Sequence, residues 1–160
     1  MKKGQAAMEF LMTYGWAILV VIAAIAALAY FGVLDPARLL PERCQFPAGM
    51  DCIDKASVDG TADTITVALR NNVAFAVTVD DINVTGASCT GSKEVSVGGG
   101  AWVLASTSPS VPNNGDFRIR FSTCGLTVGD KFDGTVTVSY TNTESSLENK
   151  ALGDVRGRVA

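Results

Sequence analysis

Histidine is absent from this 160-residue chain, and its 13 basic residues are outnumbered by 16 acidic ones. The commonest general base and metal ligand is therefore missing. A net charge of −3 leaves no basic surface for nucleic acid. No serine sits in a nucleophile-elbow pattern, no CxxC spacing is present, and Gly98-Gly99-Gly100 lacks the lysine and following helix of a phosphate loop. No acid cluster, whether Asp51 and Asp54 or Asp80 and Asp81, has the spacing of a calcium loop. The adjacent Asp80 and Asp81 would face opposite sides of a strand, so a turn or bulge explains them better than paired carboxylates. The expectation is a protein that is not an enzyme and holds no cofactor or metal.

Charge is also missing from one long run. Residues 10–34, FLMTYGWAILVVIAAIAALAYFGVL, are 25 consecutive uncharged positions. At about 1.5 Å per residue they make a helix roughly 37 Å long, enough to cross a hydrocarbon layer of about 30 Å. Ile18, Leu19, Val20, Val21 and Ile22 are consecutive, so the apolar surface covers the whole circumference, and such a helix must be buried on every side. Leaving it in water would cost tens of kcal/mol. Lipid or other helices must surround it. Ala23 and Ala27, four apart, are small positions that let helix backbones approach closely. Tyr14 and Trp16 are candidate interfacial aromatics, or aromatic contacts between packed helices.

Ahead of this run the chain reads Met1-Lys2-Lys3-Gly4-Gln5-Ala6-Ala7-Met8-Glu9-Phe10. An ordinary secretory signal has 7–15 apolar residues followed by a small-residue cleavage site. This run is longer, and Glu9 stands at its mouth. The arrangement resembles the class III signal peptide of archaeal type IV pilins, which a prepilin peptidase cuts before the apolar helix. The resemblance is specific over about the first 30 residues. It implies cleavage between Gly4 and Gln5, with Lys2, Lys3, Gly4 and Gln5 as the processing residues and Glu9 as the fifth residue of the mature chain. Ala7 departs from the serine often found at the third mature position. The physics is independent of the family: the lysines hold the amino end on the cytoplasmic side, a glycine lets backbone enter a narrow protease site, and the freed amine lies one helical turn from Glu9. Glu9 can register an incoming subunit's amine or simply complement the helix dipole.

The resemblance further implies a homopolymeric helical filament at the cell surface, serving adhesion, cell contact or motility. Glu9, Phe10, Trp16, Ala23 and Ala27 would be its assembly residues. It also implies partners: the peptidase, an assembly ATPase with its membrane platform, and the membrane itself before assembly. The alternative is a membrane-anchored or secreted β-sandwich binding module that never polymerises, with an ordinary cleavage site near Ala26.

The fold class expected is α+β, a long N-terminal helix followed by an all-β head of immunoglobulin type. The division runs 1–4 leader, 5–34 helix, 35–60 connecting segment and 61–160 β-sandwich. The helix is expected to end near Phe31-Gly32, with Asp35-Pro36 capping one further turn over 36–40. Residues 42–60 show no period and read as loop. From Thr61 the period becomes two: Ile65, Val67 and Leu69 alternate with polar neighbours, and Phe75, Val77 and Val79 repeat the pattern. Further strands are expected at 82–85, 93–97, 102–105, 117–121, 134–141 and 154–159, between glycine- and asparagine-rich turns. Some seven short strands suit an immunoglobulin-like sandwich, with Trp102 in its core.

Cysteines stand at 44, 52, 89 and 124, all beyond the apolar run. On an extracytoplasmic domain an even count reads as disulfides, with three pairings open. Cys44–Cys52 and Cys89–Cys124 are favoured, since the first pair flanks one loop and the second lies within the strand region. Chain entropy assigns these about 2.5 and 4 kcal/mol. Asn83-Val84-Thr85 is a glycosylation sequon, and its use depends on Asn83 pointing out of its sheet.

Overall fold

The computed structural model describes residues 2–31 and 41–160, with side chains described for 8–10, 12–31 and 41–160. The expected helix end at Gly32, the Asp35-Pro36 cap and the turn over 36–40 lie outside the described residues. Two compact units divide at Pro41.

Among the described residues the first unit contains one helix, α1, Lys2–Tyr30. It starts ahead of the uncharged run, so the Gly4-Gln5 junction is already helical. Phe31 closes the described end through its N–H to the Ala27 carbonyl at 3.0 Å. The membrane-length segment Met12–Tyr30 has none of its residues buried, as the circumferential distribution of Ile, Val and Leu requires.

The second unit is a sandwich of two antiparallel sheets. Its strands are β1 Arg43–Gln45, β2 Met50–Cys52, β3 Ser57–Asp59, β4 Thr64–Asn71, β5 Val77–Val84, β6 Lys93–Val97, β7 Val103–Leu104, β8 Ser110–Val111, β9 Asp116–Ser122, β10 Lys131–Asn142 and β11 Glu148–Arg158. A 3-10 turn, Ala105–Thr107, links β7 to β8. One sheet has the order β1-β11-β10-β5-β8 and the other β2-β4-β9-β6-β7, with β3 also on β4. The sequential strands β4, β5, β6, β9, β10 and β11 thus take the places of B, C, D, E, F and G of an immunoglobulin sandwich, B-E-D in one sheet and C-F-G in the other.

Alternation in the sequence places the core. Ile65, Val67 and Leu69 of β4 and Phe117, Ile119 and Phe121 of β9 are buried on the inner side of one sheet, and Val77, Val79 and Ile82 of β5 with Val136 and Val138 of β10 are buried on the inner side of the other. Between Val79 and Ile82 the spacing is three instead of two, so one strand must carry an extra residue to keep both ends inward. Ser139 pairs with Asp81 and Tyr140 with Val79, which leaves Asp80 as the bulged residue. The acidic pair is therefore a bulge. Asp80 faces out, accepting from the Thr141 hydroxyl at 2.7 Å, and Asp81 pairs with Lys93 at 3.2 Å.

Three readings need correction. The connecting segment is not loop throughout, since β1, β2 and β3 lie within it and extend both sheets. Three-residue strands are too short to display a period; β1 pairs with β11 far along the chain, β2 with β4 some twenty residues on, and β3 with the start of β4 as a short hairpin, Asp59 opposite Thr64. Phe75 lies before β5 and is partly exposed. Trp102 is half-buried outside the core, where the Arg120 guanidinium stacks 4.2 Å from its ring centroid. Strand β11 also begins six residues earlier than expected, at Glu148, and β8 was not anticipated.

Candidate functional site

On α1 the backbone of Lys2, Lys3, Gly4 and Gln5 is helical, and their side chains are outside those described. Glu9 is exposed on the helix surface. Four residues on, the Thr13 hydroxyl donates to the Glu9 carbonyl at 2.8 Å, which turns that hydroxyl inward to the backbone and leaves the Glu9 carboxylate uncommitted to it. Phe10 and Tyr14 stack at i and i+4 with centroids 4.7 Å apart. Trp16, at 67 % exposure, projects freely. Ala23 and Ala27 are exposed along one helical face. This helix offers an apolar, all-round contact surface with one acid near its start, and its chemistry is that of packing.

Both favoured disulfides are present, Cys44–Cys52 and Cys89–Cys124. Cys89 lies in the connection from β5 to β6 and Cys124 in that from β9 to β10, so the second bridge ties together the two crossovers that carry the chain between sheets at one end. Beside it Asp63, at positive φ, accepts the Leu126 N–H at 2.8 Å. That backbone hydrogen bond holds the Asp63 carboxyl below the usual carboxylate range. No simple sequence pattern signals this latch, since its partners are 63 residues apart.

The Asn83 side chain is exposed between buried Ile82 and Val84 and so points away from the core. Strand β8 covers β5 only at Val77 and Thr78, which leaves Asn83 beside an open strand edge among the described residues. The sequon's Thr85 hydroxyl is engaged, donating to the Thr135 carbonyl at 3.2 Å and accepting from the Thr135 N–H at 3.1 Å.

On the outer face of the second sheet, Arg120 is gripped by Glu94 at 2.9 Å from its Nε and stacked on Trp102. No sequence pattern signals this layer, because it joins β9, β6 and the residue just before β7. Nearby, Arg70 and Asp116 form a paired fork, Nε to Oδ1 at 2.6 Å and Nη2 to Oδ2 at 3.1 Å. The bonds hold the Asp116 carboxyl below its ordinary range and raise Arg70. At the sheet margin, Lys55 bonds Glu42 at 2.7 Å, lowering the carboxyl and raising the amine.

A shallow cleft of about 330 Å³ lies against the Cys124 loop, with Ser88, Leu126, Thr127 and Phe132 in its wall and Asp130 and Lys131 as its ionisable residues. Among the described residues no group of three Cys, Asp or Glu side chains converges to hold a metal ion. The apolar helix marks a membrane-inserted or signal segment and the disulfides an extracellular setting. No protein-family model matches the chain, and no curated protein matches it either.

Proposed function

We propose that this chain is a structural subunit of a type IV pilus-like surface filament, processed between Gly4 and Gln5 and polymerised through α1. The observation that carries this reading is the fully unburied Met12–Tyr30 segment, preceded by Lys2-Lys3-Gly4-Gln5 and Glu9. Such a surface requires cover on all sides, which lipid supplies to a precursor and copies of the same helix supply to a polymer. The Ala23 and Ala27 face favours close helix packing, and Glu9 offers an acid to the amine freed by cleavage. The disulfide-tied sandwich suits an exterior head that withstands an oxidising, unprotected setting. Contacts between copies that do not close into a ring generate an open helical array.

Sequencing the amino terminus of surface-sheared material, together with electron microscopy of that material, tests the reading. A mature chain beginning at Gln5 within filaments is the expected result. A terminus after Ala26 or Ala27, or a dispersed anchored protein, would replace it with the non-polymerising binding module.

A further inference from the structure

Residues 41–160 carry 24 charged side chains, 10 basic and 14 acidic, for a net charge of −4, yet none falls among the 21 residues 95–115. The fold gathers this stretch on one flank. It supplies β7, the edge strand of one sheet, and β8, the edge strand of the other. The 3-10 turn Ala105–Thr107 between them packs against both β5 and β6, closing that side of the sandwich. The opposite flank, built by β1, β2 and β3, carries Glu42, Arg43, Asp51, Asp54, Lys55 and Asp59.

Free strand edges elsewhere in the sandwich are guarded. Strand β5 has its bulge with Asp80 and Asp81, and β11 beyond β1 has Glu148 and Lys150. Charges and bulges of this kind discourage edge pairing. Strand β7 has neither, and instead exposes Val103 at 40 % and Leu104 at 51 % beside Trp102. Thirteen residues of the neutral stretch are exposed, and the charges beside them, Glu94 opposite Leu104 and Arg120 over Trp102, are already bonded to each other, so covering it takes no unpaired charge from water, and charge depletion is the compositional mark of an interface core.

We propose that this uncharged flank, centred on Val103 and Leu104, is a contact surface for a second copy of the chain, joining neighbouring heads in the assembled filament. The proposal rests on the polymeric reading above. The occupant follows from charge: two heads of net −4 repel where their acidic surfaces meet, and here one of them can be approached without bringing acid against acid. A polymer packed through its helices also holds heads at high effective concentration, so a modest neutral contact suffices.

The test uses the full chain in filament-forming cells. Leu104→Glu is compared with Leu152→Glu, whose leucine is 59 % exposed on the outer face of the other sheet. Cell-associated mature chain with intact disulfides reports folding. Leu104→Glu is expected to lower sheared filament yield at least about ten-fold, with Leu152→Glu near the unsubstituted level. A photo-crosslinking residue at position 104 in otherwise unaltered filaments is expected to yield a peptide from another copy, which keeps the test open if Leu104→Glu folds poorly. Normal filaments from Leu104→Glu, equal losses from both variants, or capture only of a different protein, of sugar or of nothing would overturn the flank. Absence of filaments from the unsubstituted chain would overturn the polymeric reading itself.

Discussion

Single positions in the sandwich are fixed by how closely backbones approach. A Cβ on Gly134 of β10 would run into the Thr85 carbonyl and come within 2.8 Å of the Phe132 ring, and neither backbone nor buried ring can retreat. Gly134→Ala is expected to destabilise the head by about 1–3 kcal/mol, measured by urea denaturation of the detergent-solubilised chain; an unchanged midpoint would show that the strands can separate there at little cost. Gly153 is glycine for a related reason, since the Phe46 ring occupies the place its Cβ would take. Acid response also belongs to individual residues. Asp63, Asp116 and Glu42 have carboxyls held below their ordinary values, so they contribute stability in full above about pH 4 and lose it as pH falls through their folded values. The raised Lys55 and Arg70 lose theirs only in strong alkali. With no histidine present, thermal melts should be nearly flat from about pH 5 to 7 and fall below about pH 4. A transition near pH 6 would contradict this.

Among the elements, the two disulfides divide the labour unequally. Cys44–Cys52 spans 8 positions and joins β1 and β2 across the two sheets at their margin, whereas Cys89–Cys124 spans 35 and ties two intersheet crossovers. In the chain-entropy account the longer loop gains more, about 4 against about 2.5 kcal/mol. Replacing Cys89 and Cys124 together by serine should lower the melting temperature more than replacing Cys44 and Cys52. The reverse order would mean that the strands at the margin depend on their bridge more than the crossovers do. Strand β5 carries the sequon, with Asn83 outward and Thr85 already hydrogen-bonded to Thr135. A glycan there should therefore be attached before the sheet closes, and intact-mass comparison of the native chain with Asn83→Gln checks its presence.

For the whole molecule the question is how an unburied helix and a self-contained sandwich act together. Gly4→Leu should block processing and leave a lysine-bearing precursor in the membrane fraction, because a side chain at that point obstructs a narrow protease site. Glu9→Ala should still be cut yet lose most filament assembly, read by quantifying sheared material. Filaments at normal yield from Glu9→Ala would remove the acid from the assembly mechanism and leave it as a helix-dipole partner.

The sequence by itself determined the apolar helix and the inward face of β4, placed strands at β9 and β10, narrowed Asp80-Asp81 to a turn or bulge and favoured one of three cysteine pairings, because periodicity, uninterrupted hydrophobicity and position are local properties. Only the tertiary structure decided that residues 43–59 add three strands to the sheets, since each is three residues long, too short to show a period, and β1 and β2 pair with residues well removed along the chain. It also moved Trp102 from the expected core to a cation–π stack on Arg120, because an aromatic side chain reads alike in either setting until its neighbours are known. The neutral run 95–115 was present in the sequence throughout, but only closure of two sheets by β7 and β8 gathered it onto one side of the molecule. What depends on nearest neighbours along the chain was legible, and what depends on which distant strands meet was settled by folding.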